Sequence, residues 1–271
     1  MPKTRVVLVA MPWNQLVFPS IQIGTLKAAL DRYGIEAETR SYYLRFMEHL
    51  AGVDGVPFTP ADYAEVVFGY PHGLGDWIFT VPPLRAPSKA EDDDYLALLR
   101  RRGVAESVIE TATRMREHVP EFLEACKDDL TRIGAEIVGF TTSFNQNIPS
   151  LALAKLLKEA RPDCCVVFGG ANCEGPMGVA LHENFPFVDV VVRGEGELVF
   201  PELCADWIAG YKMRSRRDVV DAPPVRSMAD VPLPDYSEYF ACLEQSPVRD
   251  DLEPLVEVLF ESARGCWWGE R

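Results

Sequence analysis

Four short runs in which nearly every residue is apolar, each trailed by a stretch with helical spacing, constrain this chain more tightly than anything else in it. Residues 5–10 (RVVLVA), 136–142 (EIVGFTT), 164–170 (CCVVFGG) and 188–194 (VDVVVRG) show almost no alternation of apolar and polar positions. A strand that is apolar on both faces has to be covered on both faces, which is the situation in parallel sheets whose crossover helices pack above and below. Helix-period stretches follow at 20–34, 150–160, 177–184 and 197–209, and a further strand is expected at 37–42. Ser20 is the expected N-cap of the first helix and Gly34 its stop. The alternation predicts an α/β fold, a Rossmann-like (flavodoxin-like) doubly wound sheet of five parallel strands.

Two regions depart from that rhythm. Residues 49–87 are rich in Gly, Pro and aromatic residues, and 91–133 have helical spacing. Together they read as a helical insertion, with Pro120 expected to kink or divide the longer helix. Residues 211–253 begin basic (KMRSRR) and become Pro-rich, which is linker composition, so the first domain is expected to span 1–210. Residues 254–263 (PLVEVLFESA) then read as a new strand running into Arg264, Gly265, Cys266, Trp267 and Trp268, the opening of a second domain over 254–271.

Charge narrows the partners. A net charge of -14, from 27 basic and 41 acidic residues, leaves no basic footprint for nucleic acid and disfavours an anionic membrane surface. No apolar run approaches the roughly 20 residues that span a bilayer. Seven cysteines, an odd number, with no leader of the secretory type point to a reducing cytoplasm, with most thiols inert in apolar surroundings.

Ligands of doubly wound sheets bind outside the carboxyl ends of the strands, so the loops there carry the candidate chemistry. The first loop, MPWNQLVFPS, offers Trp13 and Asn14; the third offers Thr141, Thr142, Ser143 and Asn145; the fourth Gly169, Gly170, Ala171 and Asn172; the fifth Gly194, Glu195, Gly196 and Glu197. Paired glycines let a flat ligand approach the backbone, and neutral hydroxyl and amide groups suit an uncharged, amide-bearing ligand. A bulky side chain at Gly170 is therefore expected to block a ligand with little loss of folding. Taken singly, each of these residues is equally an ordinary βα-turn residue.

Taken together, the stretches IVGFTTSFNQNIPSLALAKLLKEARPDCCVVFGGANCEG and VDVVVRGEGE, with PSIQIGTLKAAL near the start and ESARGCWWGE at the end, resemble the cobalamin-binding part of vitamin-B12-dependent radical S-adenosylmethionine (radical SAM) enzymes. The likeness is greatest to those that C-methylate ribosomally synthesised peptides. It implies that Thr141, Thr142 and Ser143 lie beside the cobalamin nucleotide tail, Gly169 and Gly170 under it, and residues 194–197 at the neighbouring turn, with Asn145, Ala171 and Asn172 as further cofactor-binding candidates. Trp13 is either a shield for the lower face of the corrin or plain packing. The methionine-synthase type carries an Asp-x-His-x-x-Gly ligand loop after the first strand. Residues 11–20 contain no His, so a base-off cobalamin with no protein histidine ligand is implied.

His49, His72, His118 and His182 show no metal-ligand spacing. Cys266 corresponds by resemblance to the first of three cysteines that hold a [4Fe–4S] cluster, whose open iron binds S-adenosylmethionine at the start of a radical SAM barrel. The other two would follow Arg271, so the 271 residues alone are expected to be inactive and to hold no cluster. The rival readings are a non-catalytic cobalamin carrier or sensor and a flavodoxin-like nucleotide-binding module. The latter is weakened by the lack of Gly-x-Gly-x-x-Gly after the first strand.

Overall fold

The computed structural model describes residues 5–211 and 218–264. Its centre is a six-stranded, all-parallel sheet in the order β2-β1-β3-β4-β5-β6, formed by β1 (Val6–Ala10), β2 (Ala37–Ser41), β3 (Ile137–Thr141), β4 (Cys165–Gly169), β5 (Val190–Gly194) and β6 (Asp218–Ala222). The first five strands have the doubly wound, Rossmann-like order expected from the apolar runs. Every residue of β1 and of β3 is buried, as two-sided coverage demands. Register brings Ala10, Thr141 and Gly169 level, so the loops after β1, β3 and β4 leave the sheet along one edge.

The sheet has one strand more than the five expected. β6 lies inside 211–253, and its sequence DVVDA carries two aspartates on a half-buried edge, where the continuous apolar signature of a central strand is not required. Residues 234–239 are docked as well. Asp235 N–H donates to Gly24 O at 3.0 Å in α1 (Ile21–Arg32), and a Cβ on Gly24 would come within 2.9 Å of the Tyr236 ring. The strand expected at 254–263 does not form. Residues 253–255 make a 3-10 turn and 256–264 have no ladder, since no described strand runs alongside them.

Among the described residues the only regular structure in the insertion is helical: α2 (Tyr42–Ala51) leads into it and α3 (Pro60–Phe68), α4 (Leu74–Phe79), α5 (Lys89–Arg101) and α6 (Glu106–Ile133) follow, joined by loops. Pro120 does not divide α6, which runs unbroken for 28 residues. Its ring stands on the exposed side, opposite a buried stripe running from Ile109 through Ala112, Val119, Leu123 and Cys126 to Leu130, and the missing N–H removes a single intrahelical bond. The remaining layers are α7 (Asn147–Ala160), α8 (Pro176–Asn184), α9 (Gly196–Ile208) and α10 (Ser237–Glu244). Among the described residues no helix is long and apolar enough to cross a membrane.

Lys27 ties α1 to the docked segment through Asp235 at 2.9 Å and Glu238 at 2.5 Å. Burial raises the Asp235 carboxyl, but Ser237 and Lys27 outweigh it and hold the group at about 2. A depressed folded value contributes stability above the ordinary carboxylate range, and that contribution is lost as pH falls towards 2. Asp235→Asn is accordingly expected to lower unfolding free energy at pH 7 by no more than about 1 kcal/mol, because the carboxylate is partly solvated. Denaturant titrations at pH 7 and pH 2.5 should find the difference at the first pH and only a remnant of it at the second.

Candidate functional site

A cavity of about 710 Å³ opens at the carboxyl ends of β1, β3, β4 and β5, roofed by the first turns of α1 and α9. That volume is in the range of small-molecule and cofactor sites. Missing side chains make the space. Gly139 sits in the middle of β3, where a Cβ would lie 3.1 Å from Leu8 Cδ2 and 3.3 Å from Phe200 Cζ. Gly169 ends β4, and a Cβ there would meet only Val192 O, at 3.6 Å. Leu8, Leu26, Val167, Val192 and Phe200 make an apolar throat, and Thr25 and Thr141 add hydroxyl groups.

The two glycines of the fourth loop differ. Gly170 has φ +95°, and a Cβ would be 2.5 Å from Thr142 O, so backbone geometry requires glycine there whatever the cavity holds. The expectation that a bulky residue at 170 would spare folding is thus corrected, and Gly169 is the position where cavity and backbone can be separated.

The mouth is acidic. Arg264 Nη1 donates to Glu195 at 2.9 Å and to Glu197 at 3.2 Å, while Nε and Nη2 each donate to Glu261 at 2.8 Å. Bonds to Glu261, Glu197 and Glu195 push the Arg264 guanidinium further up despite burial. Burial raises the Glu195 carboxyl, but the Val225 N–H and Arg264 outweigh it and hold the group below its ordinary value. Among the described lining residues Arg264 is the cation, and three carboxylates surround it. A phosphate-rich nucleotide finds little positive charge there, even at the α9 N-terminus, because Glu195 and Glu197 occupy it.

Of the sequence candidates, Thr141, Gly169, Gly170, Gly194, Glu195, Gly196 and Glu197 line this cavity. The others lie beside it or away from it. Thr142 is fully buried, and its hydroxyl donates to Gly169 O at 3.0 Å, joining the third and fourth loops. The Ser143 hydroxyl donates to Gln146 at 2.9 Å, and Asn172 Nδ2 donates to Phe144 O at 2.9 Å, next to Ala171. Asn14 Nδ2 donates to Phe18 O at 3.1 Å.

Trp13 packs into the insertion, with ring centroids 5.0 Å from Tyr63, 5.4 Å from Phe46 and 5.8 Å from Phe79. A Cβ on Gly75 would fall 2.4 Å from the indole, so α4 needs glycine at that contact. Trp13 Nε1, Asn145 Nδ2, Asp76 Oδ1 and Asn147 Oδ1 are buried without a hydrogen-bond partner. Burial pushes the Asp76 carboxyl up to about 6, against the opposing N–H of Ile148.

None of the four histidines lines the cavity, and among the described residues no group of three His, Cys, Asp or Glu could hold a metal ion. Cys266 lies outside the described residues. Burial pushes the thiols of Cys164 and Cys173 up to about 11 and that of Cys242 to about 12, which suits unreactive thiols. Sequence reasoning missed Gly139, the α1 residues and Arg264. A lone glycine inside a strand run does mark a close approach and was available as a signal at Gly139. Arg264 had none, because the two acidic partners that tie it to the cavity, Glu197 and Glu195, are 67 and 69 residues away.

No protein-family model matches the chain. It is similar to an uncharacterized methyltransferase of Pyrococcus horikoshii, at 26% identity over 55% of this chain and 36% of that protein. It is also similar to the cobalamin-dependent radical SAM methyltransferase TokK of Streptomyces tokunonensis, at 32% identity over 43% of this chain and 18% of that protein. A third relative is the hopanoid C-3 methylase of Methylococcus capsulatus, at 27% identity over 49% and 26% respectively. The chain therefore has methyltransferases among its relatives, one of them cobalamin-dependent and radical SAM by name, and it spans about a third or less of their lengths.

Proposed function

We propose that the chain is the cobalamin-binding part of a B12-dependent radical SAM methyltransferase, and that its cavity takes the nucleotide tail of base-off cobalamin. The observation that carries this reading is a glycine-floored, apolar throat at level strand ends whose cation is already neutralised. Such a throat suits a largely uncharged, bulky tail better than a phosphorylated flavin or dinucleotide. The carboxyl edge of a doubly wound sheet is also where a ligand of this fold class is expected.

The residues fit the group. Gly139 and Gly169 leave room that side chains would fill, Leu8, Val167 and Phe200 keep water from the tail, and the Thr141 hydroxyl offers a hydrogen bond to it. When bound, cobalamin supplies a transferable methyl group, and the protein's part is binding, orientation and exclusion of water. Neither residues 11–20 nor the described cavity lining contains an imidazole, which supports binding without a histidine ligand. Cys266 is proposed as a ligand of a [4Fe–4S] cluster that would also engage S-adenosylmethionine, residues 254–271 as the opening of a radical SAM barrel, and a ribosomally made peptide in the cytoplasm as the substrate. The radical SAM assignment is supported by one relative's name, and the Cys266 ligand, the barrel opening, the peptide substrate and the cytoplasm rest on the sequence reading alone.

Gel filtration after incubation with hydroxocobalamin is expected to give co-elution with an absorption spectrum of the base-off form, and the same experiment with flavin mononucleotide none. Electron paramagnetic resonance of the cob(II)alamin state should lack nitrogen splitting from an axial ligand. Failure to retain cobalamin, or retention of the flavin in its place, would overturn the reading; a nitrogen triplet would overturn base-off binding without a histidine ligand.

A further inference from the structure

Residues 257–264 cross the mouth of the cavity as a strap tied at both ends. At one end Glu257 N–H donates to Val17 O at 3.1 Å, and the Tyr236 hydroxyl donates to Leu259 O at 2.6 Å. Tyr236 is itself fixed by its fit against Gly24. At the other end Arg264 is bonded to Glu195 and Glu197 at the head of α9. Between the ties, Leu259, Phe260 and Ala263 form part of the cavity wall.

Apart from the turn residues Gly170 and Glu195, the rest of the described wall is strand or helix, held by sheet ladders or helix turns. Among the described residues the strap pairs in no ladder, so its place over the mouth depends on its named ties. Of its ties, the charge-assisted one is the strongest. Arg264 forks between two carboxylates that belong to the cavity turn itself, and its side chain is only 19% exposed. Glu195 directly follows β5 and additionally accepts from Val225 N–H, three residues past β6, so the anchor is held independently of the strap.

We propose that Arg264 is a positioning residue: by pinning the strap to Glu195 and Glu197 it closes the cavity over its occupant and sets how fast that occupant leaves. The inference takes the occupant to be cobalamin, as proposed above. Arg264 also stands two residues before Cys266 in the sequence.

The test loads the full chain with hydroxocobalamin and follows release after dilution, for the unaltered protein, Arg264→Ala and Arg264→Lys. Amide hydrogen exchange of residues 257–264 and of β3 and β4 is read in parallel. Arg264→Ala should release cobalamin about tenfold faster, the loss expected for a charge-assisted hydrogen-bonded tie, and Arg264→Lys should recover part of it. Exchange should quicken in the strap and stay unchanged in β3 and β4. Unchanged release from a loaded variant, or strap and sheet loosening together, overturns the positioning role. If the unaltered chain retains no hydroxocobalamin, the cobalamin reading falls by itself. Exchange in the strap then decides the pin alone: faster in Arg264→Ala supports it, unchanged refutes it.

Discussion

Gly169→Leu is expected to weaken hydroxocobalamin binding by up to about a hundredfold while leaving the fold intact. Gly169 ends β4 with a backbone conformation open to any residue, and a Cβ would meet only Val192 O at an ordinary 3.6 Å. The added isobutyl group would stand in the cavity between Thr141 and Val192, where the proposed nucleotide tail needs the space. Filling a fitted site costs about 1–3 kcal/mol, so affinity should drop by up to about a hundredfold. Gly170→Leu is the control. Its φ of +95° and the 2.5 Å approach to Thr142 O mean that this variant should lose thermal stability as well as binding. Equilibrium dialysis and thermal melts on both variants separate the two effects. Normal affinity in Gly169→Leu would place the ligand elsewhere, and a fall in melting temperature matching that of Gly170→Leu would show that Gly169 serves the backbone too.

Asp76→Asn is expected to stabilise the protein strongly at neutral and alkaline pH. Burial raises the Asp76 carboxyl from its ordinary 3.8 to about 6, and the Ile148 N–H opposes this only in part. A group whose folded value is raised favours the fold where it is protonated, below about 4, and that favour is lost as pH climbs through 6. At pH 8 the folded state therefore carries a buried charge costing on the order of 3 kcal/mol, since each tenfold change in proton affinity is worth about 1.4 kcal/mol. Asparagine keeps a carbonyl for the Ile148 N–H and removes the charge. Denaturant unfolding at pH 8 should show a gain of up to about 3 kcal/mol, shrinking to a small residue at pH 4. A gain equal at the two pH values would mean that the effect is packing and not ionisation.

Part of this protein is legible in the chain alone. A run such as VVLVA or IVGFT, apolar at all or nearly all positions, can be satisfied only by cover on both faces, so β1, β3, β4 and β5 declare a parallel, doubly wound sheet. Once the strands are known, the carboxyl-end loops follow from connectivity, which is why Thr141, Gly169, Gly170 and residues 194–197 could be named as a group before any geometry. The buried stripe of α6 survives Pro120 for a related reason: the stripe is a one-dimensional pattern, and the proline stands off it.

Other features are decided only when the chain closes in three dimensions. β6 carries aspartates because an edge strand needs burial on little of its surface, so its sequence is not distinct from that of a linker. Trp13 follows a strand in the chain, yet its ring is claimed by Phe46, Tyr63 and Phe79 from an insertion that sequence order places far from it. Arg264 reads as one more surface cation until folding brings it to Glu195 and Glu197. Periodicity reports which face of its own element a residue occupies. What occupies the other side of that face depends on distances between elements, and those exist only after the sheet has formed.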